Sequence, residues 1–401
     1  QSWMQLGETI TGDNSTSESS SFGSSHEFDK TGEILAIGHE NSSTRESPDQ
    51  LISNHGKVRI YKYKTVTSTE WYLSNVLDTN TSEKPIIVNH GKPYSASKKY
   101  WVQLGGDLGG VSSSQAGDGF GKSVSLSDDG NMLVVGSPGD SGTGGKKGTG
   151  RINVFRFQSD EWQDAGDIPG NKDIPDTVST VGNFFGNAVK LSGDASTLIV
   201  GAPQGTQSGP GFIRIFAHSQ TNLNVDIWTK IGSFAGTSDG QGYGTDISCN
   251  SDATVVVVGS PYFNDSTGRV YIYTKSGNSY TNSKIIDGIH SSSLFGRSVD
   301  LNEDGTILVV GSPNMNSRDS IKTGASLTYE NDGVTWNLIA VTEGDSDDDL
   351  SGTSVGISST GKTIVVGSSE NTTISPTGDL NTGYANVYDL NWCTDWNNDG
   401  K

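Results

Sequence analysis

The clearest metal-ligand spacing in the chain lies in its last residues, Asp395-Trp-Asn397-Asn-Asp399-Gly400. Oxygen-bearing side chains at positions one, three and five with glycine at six are what a calcium loop requires. Calcium at Asp395, Asn397 and Asp399 is therefore an expectation, although no closing carboxylate follows in these residues, and the other reading is a plain polar tail. A second acidic run, Asp345-Ser-Asp347-Asp348-Asp349, is expected to be a solvated loop. Asn14, Asn41, Asn80, Asn264 and Asn371 each head an Asn-x-Ser/Thr sequon. A chain this rich in Asn, Ser and Thr produces about that many by chance, so their placement in expected loops says more than their number.

Catalytic patterns are scarce. The histidines, at 26, 39, 55, 90, 218 and 290, form no metal-binding spacing. His26 falls in a core column and is expected to be a satisfied buried residue. No Gly-x-Ser-x-Gly elbow stands in a strand-turn-helix context. Cys249 fills a column held elsewhere by Leu, Phe or Ile and reads as a small core residue, while Cys393 lies in the tail. These residues point to a non-enzymatic protein. A carboxylate pair assembled from distant segments, as sugar hydrolysis needs, is the remaining catalytic alternative.

Bulk composition narrows the partners. The formal net charge is -19 with an isoelectric point near 4.6, which argues against a nucleic-acid partner, whose phosphates are bound largely by Lys and Arg. No apolar run reaches the eighteen residues of a membrane span, so membrane insertion is not expected. A chain opening at Gln1 suits a secreted protein after signal-peptide removal. The expected location is extracellular, secreted or at the cell surface.

What positions these residues is a repeat. Glycines 23, 121, 186, 244, 296 and 352 each have a second glycine fifteen residues later, at 38, 136, 201, 259, 311 and 367. Between them, apolar residues alternate with polar ones, as in Val124 and Leu126 or Val299 and Leu301, which marks a strand. A turn such as Asp129-Gly130 or Asp304-Gly305 follows, with Asp194-Ala195 and Asp252-Ala253 as weaker forms. A continuous apolar run such as Val255 to Val258 then suggests a strand buried on both faces.

A third strand opens at Gly56, Gly150, Gly211, Gly268, Gly324 or Gly383 and carries an aromatic five residues on. A fourth segment is headed by Trp162, Trp228, Tyr280 or Trp336. Four short antiparallel strands per repeat make the expected fold all-β, a β-propeller of six four-stranded blades, with seven as the alternative. In the first repeat the fourth segment is displaced to Trp101-Val-Gln-Leu-Gly105, which places an insertion at 64–100.

Trp3-Met-Gln-Leu-Gly7 precedes Gly23 by the same twenty residues that separate Trp101 from Gly121. Residues 1–11 are thus expected to be a closing strand that completes the last blade, the competing head of that strand being Trp396. The propeller spans 1–390 as a single domain, and 391–401 is a C-terminal tail read as the start of a following segment.

Phe120-Gly-x-Ser-Val-x-Leu126, then Gly136-Ser-Pro138 or Gly201-Ala-Pro203, then Gly268-x-Val-x-Ile-Tyr273, resembles the FG-GAP repeats of integrin α-subunit propellers and related extracellular proteins. The resemblance covers almost the whole chain, from Trp3 to about Tyr388. It implies a propeller with an extracellular adhesive or binding role. Two departures stand out: integrin propellers have seven blades, and the turns here lack the calcium loops that several family repeats carry.

The second-to-third connection varies from nine residues between glycines to eighteen, whereas the first turn is constant. Variable loops on a fixed scaffold are where recognition is placed. The expected function is an adhesion or interaction module binding protein or glycan through that face. The alternatives are a self-associating subunit of an extracellular filament, coat or appendage, and a glycan-cleaving enzyme.

Overall fold

The computed structural model describes residues 9–10, 22–40, 44–47, 50–52, 56–66, 98–109, 117–141, 148–170, 182–203, 209–222, 225–277, 279–316, 322–346, 348–369 and 383–390. These residues form a six-bladed antiparallel β-propeller with almost no helix. Sheet two shows the plan. Its strands Ser123–Leu126, Met132–Ser137, Arg151–Gln158 and Glu161–Pro169 run from the axis outward, each paired to the next. Sheets three, four and five repeat that order, and their second strands, Thr197–Ala202, Val255–Ser260 and Ile307–Ser312, are almost wholly buried.

Sheet one carries two additions. A small hairpin, Thr44–Ser47 with Gln50–Ile52, sits in its second-to-third connection and was not expected. Its third and fourth strands, Lys57–Val66 and Lys98–Gln103, stay paired out to Val66 and Lys98. The insertion is therefore narrower than 64–100, and what remains of it lies outside the described residues. Sheet six has three described strands, Ser351–Ile357, Thr363–Ser368 and Tyr384–Asp389. The proposed closing strand at Trp3 and the competing Trp396 both lie outside the described residues.

The paired glycines have a physical cause. A methyl built on Gly38, Gly136, Gly201, Gly259 or Gly311 would collide with the carbonyl oxygen of the next sheet's opening glycine. That carbonyl also accepts the hydroxyls of Ser25, Ser123 and Ser298 at 2.8, 2.8 and 3.0 Å. The opening glycines take φ between +83° and +92°, a region closed to most side chains. Just before them, Phe120, Phe185, Tyr243 and Phe295 are fully buried, each bridged in parallel to the third-strand glycine of the preceding sheet. Burial of one such ring contributes roughly 4–6 kcal/mol at about 25 cal/mol per Å².

The hairpin turns carry a device that periodicity did not reveal. Six residues after each opening glycine, Asp29, Ser127, Ser192, Asn250, Asn302 and Ser358 accept a bond from the backbone N–H five residues on, at 2.7–3.0 Å. One residue further along, the turns touch one another around the axis. Lys30 N donates to Asp128 O, Asp128 N to Gly193 O, Gly193 N to Ser251 O, Ser251 N to Glu303 O and Glu303 N to Ser359 O, at 2.7–3.2 Å. Each of sheets one to five is thereby hooked to its successor through backbone groups.

The face between sheets six and one is packed differently. Val365 and Val387 are 42% and 41% exposed, whereas their counterparts Val309 and Thr328 in sheet five are 0% and 1%. His26 is exposed and Phe28 is 48% exposed, although Val124 and Leu126, in the same columns of sheet two, are buried. The expectation of a buried His26 is corrected: Val124 and Leu126 are covered by Val58 and Ile60 of the preceding sheet, and His26 gains no such cover. Cys249 is a buried core residue, as expected.

Candidate functional site

The residue four after each opening glycine stands at the axis: Glu27, Ser125, Lys190, Ser248, Asp300 and Gly356. Lys190 Nζ donates to Glu27 Oε1 at 2.6 Å, joining sheet three to sheet one. Ser248 Oγ donates to Asp300 Oδ1 at 2.9 Å. The backbone N–H groups of Leu191, Leu301 and Ile357 donate to Ser125, Ser248 and Asp300 of the sheets before them. The charges at the axis are thus engaged with one another and with the backbone.

Burial shifts several of these groups. It lifts the Asp246 carboxyl to about 7, although the Val299 and Ile247 amides pull the other way and Asp300 adds to the rise. Burial opposes the Lys190 charge, but Glu27 and Asp300 outweigh it and hold the ammonium above the usual lysine range. The Cys249 thiol is pushed up to about 12, chiefly by burial. A thiol held so far from ionisation is an inert core group. At the turn end of the axis, the Lys30 ammonium is bonded to Glu303 and lies 3.7 Å from Asp128.

The opposite end carries the long connections. There Asp118 is 4% exposed, and burial together with neighbouring Asp140 lifts its carboxyl to about 6 against the pull of Arg151. Arg151 Nε donates to Asp140 Oδ2 at 3.1 Å and its other arm reaches Asp167. Arg269 lies 3.8 Å from the centroid of Phe263 and clasps Asp287 with two bonds. The Asp118 shift thus comes from burial and a like charge, whereas Arg151 and Arg269 are held in ion pairs.

The sequence-based sites divide. Asn264 is exposed on the connection after Ser260, whereas Asn14, Asn41, Asn80, Asn371, Asp395, Asn397 and Asp399 lie outside the described residues. The acidic run is not simply solvated. Asp349 is fully buried, its Oδ2 accepting Ser346 N at 2.6 Å and the Tyr384 hydroxyl at 2.7 Å. Its column, three before the opening glycine, also holds buried Asp118, Asn183, Gln241 and Ser293. That column was readable in the sequence as a polar residue at fixed distance from each Phe-Gly or Tyr-Gly. Among the described residues, no three His, Cys, Asp or Glu side chains gather as a metal-binding group.

A family model for the FG-GAP repeat matches residues 112–155. That span holds Phe120-Gly121, the glycine pair and most of the third strand, the parts whose packing builds each seam. The fold is a six-bladed β-propeller in which residues 112–155 match the FG-GAP repeat. No curated protein matches it in sequence.

Among solved structures it is similar to two proteins provisionally named 6-phosphogluconolactonases. One, from Bacteroides uniformis ATCC 8492, is 11% identical with a TM-score of 0.51 over 92% of this chain and 86% of that one. The other, from Bacteroides fragilis NCTC 9343, is 12% identical with a TM-score of 0.48 over 92% and 84%. Similarity at this level speaks to fold and not to chemistry.

Proposed function

We propose that the chain is a non-enzymatic extracellular adhesion or interaction module that binds a protein or glycan through its variable-loop face. The observation that carries this reading is the asymmetry between the two ends of the ring. At the turn end, backbone hooks and capping side chains consume the polar groups in the same way from sheet to sheet. At the other end the connections differ in length and composition from sheet to sheet. A fixed scaffold with unlike loops on one rim is built for recognition.

Grafting tests it. Replacing 262–266 and 313–323 with Gly-Ser linkers of equal length should abolish capture of surface proteins and glycans by the immobilised protein, while Thr31→Ala and Thr360→Ala at the turn end should not. Equal loss from both ends would sink the assignment.

The filament alternative requires an unpaired strand edge, which would accept a strand from another molecule. A monodisperse ring by light scattering at high concentration would dismiss it.

A further inference from the structure

We infer that the connection Tyr262–Ser266 in sheet four is a saccharide-binding site, with the Tyr262 ring as platform for a pyranose and the Asp265 side chain as partner for its hydroxyls. The inference rests on the variable-loop face being the ligand-binding end.

The backbone is the first support. Gly259 and Gly268 are separated by the shortest of the second-to-third connections, and Asn264, Asp265 and Ser266 take φ of +49°, +52° and +61° in succession. Three consecutive left-handed residues, none of them glycine, are unfavourable unless the surroundings hold them. Here they do. Gly268 N donates to Phe263 O at 3.0 Å, and Leu294 N donates to Ser266 O at 2.9 Å. Ser292 N donates to Asp265 O at 3.2 Å, and the Arg269 guanidinium covers the Phe263 ring. The loop is therefore ordered before any ligand arrives, which lowers the entropy cost of binding.

The side chains are the second. The Tyr262 ring lies over Gly242, where a methyl would strike its Cδ2 edge, and is 43% exposed. Asn264 and Asp265 are exposed. In the turns at the other end, Asp129, Asp194, Asp252 and Asp304 are all tied to neighbours. The Tyr262 hydroxyl, the Asn264 amide and the Asp265 carboxylate instead make no hydrogen bond within the described residues. An exposed aromatic ring backed by main chain, three residues before an exposed carboxylate that makes no hydrogen bond within the described residues, suits a ligand with one C–H face and vicinal hydroxyls.

The test is titration of the intact protein with methyl glycosides of glucose, mannose, galactose and N-acetylglucosamine, read by aromatic and amide chemical shifts. At least one glycoside should move the Tyr262 and Asp265 signals, weakened about tenfold by Tyr262→Ala or Asp265→Ala and untouched by Phe184→Ala. Tyr262→Phe, which keeps the ring, should retain most of the affinity and control for folding. Glycoside binding that survives Tyr262→Ala would overturn the site while leaving the variable-loop face in play. No response to any glycoside would overturn the inference, and the loop grafts above would then decide separately whether that face binds protein.

Discussion

Lys190 and Glu27 meet across the axis at 2.6 Å, the ammonium of sheet three against the carboxylate of sheet one. The pair joins sheets that are not neighbours in the ring and is 23% and 26% exposed. Removing one partner strands the other charge in a shielded place. Lys190→Met is expected to cost about 2 kcal/mol, less than a fully buried pair because solvent still reaches it. Adding Glu27→Gln should recover most of that loss, measured by denaturant unfolding.

Acidity should stabilise the ring down to a limit. Asp246 and Asp118 have folded values raised to about 7 and about 6 from 3.8, so the folded state holds protons that the unfolded chain releases. Their contribution is present below pH about 4 and is lost as pH rises through 6 and 7. Asp129, Asp194, Asp252 and Asp304 are lowered and act oppositely, losing their contribution as pH falls below 3.8. The melting temperature should be higher at pH 5 than at pH 8. Asp246→Asn should flatten that slope, and an unchanged slope would remove Asp246 as its source.

The seam glycines offer a paired comparison. Gly259→Ala drives a methyl into the Gly296 carbonyl, whereas a methyl on Gly367 meets only groups of Ser354 in its own sheet. Overpacking of backbone against backbone has little room to relax, so Gly259→Ala should cost about 3 kcal/mol. Gly367→Ala should cost about 1 kcal/mol or less, because the serine can rotate. Equal losses in thermal melts would contradict this account of the seam.

Two turns are strained where the others are not. Ala195 and Ala253 stand at φ +57° and +52° in the position that Gly32, Gly130, Gly305 and Gly361 occupy elsewhere. Ala195→Gly should raise stability by about 0.5–1 kcal/mol. Ala253 is fully buried, so its replacement loses packing and should show a smaller gain or none.

Deleting residues 1–11 should lower the melting temperature by several degrees if Trp3 completes sheet six. An unchanged melt would rule that strand out as the closing element.

Much of the ring was legible because its packing rule is written in glycine. The spacing of Gly121 and Gly136 reports a carbonyl oxygen seated where a side chain would otherwise begin, and that fit permits one residue type. The outer strands were harder to read. In sheets two to five the pairing slips by one residue near Phe155, Phe216, Tyr273 and Tyr329, and a bulge leaves no mark in alternation. His26 was misread because its column predicts burial only where a preceding sheet supplies the cover. The rim of unlike connections was legible in the sequence as a location, and its backbone was not. Tyr262 and Asp265 look ordinary until the left-handed backbone that presents them is seen.

The glycine pairs also constrain how such a chain can diverge. A single residue gained or lost between Gly121 and Gly136 would misplace one partner of a fit with no slack, and the fault would pass to both adjoining sheets. Additions in the connection after Asp140 fall outside that fit. Novelty in this architecture is therefore channelled to one rim, and two descendants of a common ancestor would keep the same wheel while wearing different crowns.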